Sequence, residues 1–154
     1  MPIRNNIAQS QPNLLHGPVV LAADDTTTDT SSVDLSDSNA VTVRIAYGTA
    51  GDTLSSSVKF SVKLQESDDD STFTDVAAAE CVTTAGLASA NTFGDIDDLA
   101  EDNAIYSLGY IGNARYLRAR ITSTGSHVTG TPLVVWADEE SLREAPGTVL
   151  SSPA

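Results

Sequence analysis

The chain alternates. Val41, Val43, Ile45 and Tyr47 are separated by Thr42, Arg44 and Ala46, and Val58, Phe60, Val62 and Leu64 by Lys59, Ser61 and Lys63. Leu117, Ala119 and Ile121 alternate in the same way with Arg118, Arg120 and Thr122. A period of two puts one set of side chains in a core and the other in water, which is the signature of half-buried antiparallel strands. Further strands are predicted at Pro18–Ala23, Val33–Ser36, Phe73–Ala79, Ala104–Ile111 and Thr131–Asp138. Turn residues punctuate them at Gly48–Asp52, Ser67–Ser71, Gly112-Asn113 and Gly125 with Gly130. Pro132 suits an edge or a strand start.

The pattern predicts an all-β domain, an antiparallel β-sandwich or jelly roll of about eight short strands. Residues 1–16 and 145–154 lack periodicity and read as extended N- and C-terminal arms around a sandwich spanning 17–144. Helix is confined to single turns at Asp97–Asn103 and Glu139–Glu144, the second halted by Pro146. Thr26–Ser32 reads as a polar loop. Phe60, Phe73, Phe93, Trp136 and the four tyrosines are the expected anchors of the core, with Trp136 and Val134 on one buried face.

Composition narrows the partners. Eight basic residues stand against 21 acidic ones, a net charge of −13. Direct binding of nucleic acid, which requires cations to displace counterions, is therefore not expected. No stretch has the length of a membrane span, so no membrane partner is expected, and the lack of a signal peptide predicts synthesis in a cytoplasm. The single cysteine, Cys81, is expected to be a small buried apolar residue.

Candidate chemistry is sparse. The chain carries no G-x-S-x-G elbow and no phosphate-cradling loop, and His16 and His127 read as surface imidazoles, so catalysis is not expected and no catalytic residue is assigned. No cofactor or metal is expected. Of the acidic clusters Asp24-Asp25, Asp68–Asp70 and Asp95–Asp102, the last offers the best calcium candidates in Asp95, Asp97, Asp98 and Asp102, yet it lacks the EF-hand spacing. Aspartates in turns also serve by bonding their own backbone. The positive charge is concentrated at Arg115, Arg118 and Arg120, beside Tyr116. An Arg/Tyr stripe is a candidate interface, because both types are enriched at binding hot spots. The competing reading is that these arginines pair with carboxylates across the sheet.

Two phrases carry a resemblance. The first runs Phe60-Ser-Val-Lys-Leu-Gln-Glu-Ser67, an Asp68-Asp69-Asp70-Ser71 turn, then Phe73-Thr-Asp75-Val76; the second runs from Gly109-Tyr110-Ile111-Gly112 into Arg115-Tyr116-Leu117-Arg118. Together, over roughly residues 58–122, they resemble the small head proteins that tailed phages and prophages encode beside the major capsid gene. Asp70 departs from the pattern, standing where glycine is expected, although aspartate tolerates left-handed backbone better than most residues.

The resemblance implies a noncatalytic capsid decoration or cement protein, or a head spike, on the exterior of the virion. Its implied partners are the major capsid protein and further copies of itself, as a homotrimer, with a pentamer the alternative, at symmetry points of the shell. The alternative is a carbohydrate- or cell-surface-binding sandwich, such as a tail-tip adhesin, since this fold class hosts both roles.

Overall fold

The computed structural model describes residues 10–38, 40–82 and 91–140. They form eleven strands in two antiparallel sheets, a sandwich as the alternation predicts. The front sheet has the order β1 (Ser10–Leu21), β11 (Thr131–Glu140), β4 (Ala40–Tyr47), β9 (Ile105–Tyr110) and β7 (Cys81–Val82). The back sheet is built on β10 (Tyr116–Thr124) paired with β5 (Lys59–Ser67). On the far side of β10 lie β2 (Thr27–Asp29) and β3 (Val33–Asp34); on the far side of β5 lie β6 (Thr74–Asp75) and β8 (Thr92–Ile96).

The inward positions are those the period of two selects. Val41, Val43, Ile45 and Tyr47 from β4, Phe60, Val62 and Leu64 from β5, and Leu117, Ala119 and Ile121 from β10 are all buried in one cluster. Tyr47 meets Phe60 with ring centroids 6.4 Å apart, and its hydroxyl donates to the Gly94 carbonyl at 2.8 Å, so the buried phenol is satisfied. Gly94 itself is left-handed (φ +57°), and a Cβ there would lie 2.8 Å from Ile45 Cγ2. Only glycine lets β8 approach the core so closely.

Several boundaries differ from the sequence expectation. Residues 10–16 belong to β1 and pair with β11 from Ser10↔Glu140 onward, so the sandwich begins before residue 17. The rest of that arm and the tail from 145 lie outside the described residues. Thr27–Asp29 is a strand because β10 offers it an edge, not because its own side chains demand one. Asp97–Asn103 forms a turn closed by Glu101 N–H to Asp98 O (3.1 Å) instead of a helix. A short 3₁₀ turn occurs at Ala78–Glu80, where a strand was expected to run on. Glu139 and Glu140 end β11 in extended form; 141–144 lie outside the described residues.

Two aromatic residues are not where the core expectation put them. Trp136 does share a face with Val134, but it is the outer one; Leu133, Val135, Ala137 and Glu139 point inward. Phe73 lies on the outside of the back sheet, half-buried. His127 is the converse. Expected at the surface, it is 2% exposed and its ring centre lies 4.2 Å from that of Phe60. Cys81 is half-buried against the rim of the core.

Candidate functional site

The Arg/Tyr stripe lies on the outer face of the back sheet. Tyr116, Arg118 and Arg120 occupy alternate positions of β10, and Arg115 immediately precedes the strand. Register then fixes their neighbours. Arg118 is opposite Gln65 and Arg120 opposite Lys63 on β5, while Asp29 of β2 faces Arg120 from the other side.

Each guanidinium is engaged within the chain. Arg120 grips Asp29 with two bonds, Nε to Oδ1 at 2.6 Å and Nη2 to Oδ2 at 2.8 Å. Arg118 reaches the same carboxylate at 2.9 Å, donates twice to Gln65 Oε1 (3.1 and 2.9 Å), and lies 4.0 Å above the Phe73 ring. Gln65 passes the network on, donating to Asp75 at 2.9 Å, and Lys63 pairs with Asp75 at 3.3 Å. Arg115 holds Asp34 through both nitrogens of its fork and sits 5.0 Å over the Tyr116 ring.

The carboxyls respond as their partners dictate. The Arg115 fork holds Asp34 down at about 2, and the Arg120 bonds lower Asp29 despite partial burial. The Gln65 bond, with help from Lys63, lowers Asp75. Four cations and three carboxylates leave this layer one formal positive charge on a chain of net −13. The pattern extends further: all six basic residues among the described ones are paired with aspartates, including Arg44–Asp138 and Lys59–Asp95.

The calcium candidates go separate ways. Asp95 pairs with Lys59, Asp98 accepts from the Ala100 N–H, and Asp102 accepts from the Ala50 N–H. The Asp97 N–H bonds to Glu101. Among the described residues, no group of three His, Cys, Asp or Glu side chains is gathered as a metal ligand set. Each described carboxylate of Asp24, Asp52 and Asp69 likewise accepts from backbone N–H groups. Asp70 adopts φ +56°, so aspartate takes the left-handed position that the resemblance gives to glycine.

The two histidines are apart in role. His127 Nε2 lies 3.0 Å from the Thr124 carbonyl, which can only accept, so Nε2 carries the proton. His16 is a half-buried member of β1.

Sequence reasoning missed the Phe73–Arg118 stack, although both residues belong to the quoted phrases. It also missed how Tyr110 ties those phrases together. The buried Tyr110 hydroxyl donates to Glu66 and accepts from the Ala114 N–H at 3.0 Å. Burial first, and the Glu66 bond second, push its pKa well above the ordinary tyrosine range.

What these features define is a two-sheet antiparallel sandwich with an ion-paired outer layer. No protein-family model matches the chain, and no curated protein matches it. Among solved structures, the SPBc2 prophage-derived protein YomS is similar at 11% identity and a TM-score of 0.45, covering 84% of this chain and 91% of that one. The structure of infectious bursal disease virus, Gt strain, is similar at 12% identity and a TM-score of 0.32, covering 90% of this chain and 37% of that one. Likenesses at this level carry no functional inference.

Proposed function

We propose that the chain is a noncatalytic structural protein of a tailed-phage virion, a decoration or cement protein on the head exterior that stabilises capsomer junctions. The observation that carries this reading is the convergence of the two phrases that resemble phage head proteins. β5 and β10 pair without interruption from Ser67↔Tyr116 to Lys59↔Thr124, Tyr110 reaches Glu66, and Arg118 covers both Gln65 and Phe73. The resemblance thus falls on the β5–β10 pair of the back sheet and on the end of β9, which Tyr110 ties to it, and not on two scattered segments.

The reading is physically consistent. A clamp that binds only the assembled shell stabilises it by mass action, and an acidic surface keeps many free copies soluble. Arg118 and Arg120 act first as scaffold. Arg115, with 54% of its side chain exposed, and Tyr116 beside it are the part of the stripe open to a shell.

The test uses DNA-filled heads assembled from the major capsid protein of the same phage. Mixed with the purified chain and sedimented, they are expected to retain it at a fixed, saturable number of copies per capsomer and to disrupt at a higher temperature. A folded chain that stays in the supernatant at every concentration refutes the reading. An occupancy unchanged by Arg115→Glu with Tyr116→Ala removes the stripe from the contact.

A further inference from the structure

The outer faces of the two sheets differ in kind. The back sheet presents its layer of paired charges. The front sheet presents Leu14, Val20, Pro132, Val134, Trp136 and Ile105, joined across four strands by the pairs Leu14↔Trp136, Val20↔Pro132, Val134↔Ala46 and Ala46↔Ile105. Leu14, Val20 and Ile105 are 63%, 55% and 62% exposed. An open groove of about 400 Å³, lined partly by Val20, Ala46, Pro132 and Val134, lies at one end.

Among the described residues, the charges on this face are the Arg44–Asp138 pair, closed at 2.6 Å and bonded to Ser107 and Trp136, and Glu140 at the opposite end. In sequence, Pro132–Ala137 is apolar at both parities, the pattern of a strand covered on both sides.

We infer that this face is where two copies of the chain meet, face to face about a two-fold axis. Charge selects the occupant. A basic partner is drawn to the surfaces that carry the net −13, not to a face whose one cation among the described residues is already paired. A second copy carries the same −13, so it associates most readily where like charges are not opposed, which is here. A patch meeting itself generates a closed dimer.

Edge-to-edge pairing through β1 is disfavoured. Its register breaks between Leu14 and His16 and again between His16 and Val19, and Pro12 and Pro18 offer no donors. Four strands at about 4.8 Å spacing and β11's run of about 30 Å make a plane of roughly 570 Å² on each copy, about 1,150 Å² for the pair, close to the lower limit of specific interfaces. This pairing goes beyond the virion reading, and its test contains no capsid protein.

Trp136, the only tryptophan, is the built-in reporter. The full chain is examined by sedimentation equilibrium and by acrylamide quenching of Trp136 from high to low concentration. The expected mass is twice the 16.0 kDa of one chain, falling on dilution as the emission shifts to the red and quenching increases in step. Leu14→Glu with Ile105→Glu, both at exposed positions, is expected to weaken association at least tenfold with an unchanged circular dichroism spectrum. Val128→Asp, at an 87% exposed site in the loop before β11, is expected to leave it intact.

Several outcomes overturn the inference. One is a monomer at all concentrations, including a monomer whose Trp136 is shielded by the chain's own terminal residues. Another is a dimer indifferent to the double substitution, and a third is a trimer or pentamer.

Discussion

Truncating Arg118 to alanine tests whether the stripe is a scaffold. The side chain is 19% exposed and does three things at once. Its stack on Phe73 contributes about 1 kcal/mol at a partly desolvated site. The two bonds to Gln65, from a charged donor, contribute about 1.5 kcal/mol. The Asp29 pair adds no more than about 0.5 kcal/mol, because Arg120 already holds that carboxylate. The expected loss is therefore about 2–3 kcal/mol, or roughly 5–10 °C in Tm for a domain of this size. Arg118→Lys keeps the charge but loses the fork and the planar stack, and is expected to cost about 1–1.5 kcal/mol. Urea denaturation at fixed protein concentration measures both, since any self-association makes stability concentration-dependent. A cycle with Phe73→Leu is expected to show coupling of about 1 kcal/mol. If Arg118→Ala lies within about 0.5 kcal/mol of the parent, or the coupling is zero, the arginine is not holding the sheet and the argument fails.

Gly125→Ala is expected to cost more than about 2 kcal/mol, because φ is +81° and the new Cβ would lie 2.1 Å from the Ser57 carbonyl oxygen; an unshifted urea midpoint contradicts this. Asp29, Asp34, Asp52, Asp69 and Asp75 all have carboxyls lowered on folding, the first two chiefly by arginine, Asp52 and Asp69 chiefly by backbone N–H groups, and Asp75 chiefly by Gln65. Depressed folded values mean that their stabilisation is complete above the unfolded value of about 4 and is lost as pH falls through the folded values. Urea midpoints are thus expected to hold steady from pH 7 to about 5 and drop steeply between about 4 and 2, with part of the drop removed in Asp34→Asn; a flat profile to pH 2.5 is the contrary result.

The core was legible because β4, β5 and β10 keep one parity apolar and the other polar, so the inward face had only one choice. β11 offered no such choice. With Leu133, Val134, Val135, Trp136 and Ala137 in a row, either parity fits a core, and the bulk of Trp136 argued for the wrong one. The inward face instead holds smaller residues and ends on Glu139, whose buried carboxylate is satisfied by Asn13 and Ser38. β8 was hidden because Thr92–Ile96 is buried at both parities and broken by left-handed Gly94, which removes any period.

In the site, the stripe itself was readable from residues 115–120, but its partners were not. Asp29 and Phe73 are dozens of residues away, and only the strand order brings them together. His127 was misplaced for a related reason. It sits in the turn-like run Gly125-Ser126-His127-Val128-Thr129-Gly130, yet Phe60 from another strand closes over it.

The strand order also dictates when the molecule can become whole. β11, near the end of the described chain, lies between β1 and β4, and β10 lies between β5 and the pair β2 and β3. Until residues 116–140 leave the ribosome, the back sheet is split down the middle and β1 is cut off from the rest of the front sheet, with long hydrogen-bonding edges bare. Closure then joins Ser10 to Glu140 across almost the entire described length, a non-local step that is slow by nature. A nascent chain of this topology is at its most aggregation-prone just before residues 116–140 emerge, and a stop between 125 and 130 closes the back sheet but leaves β1 with nothing to bridge it to β4.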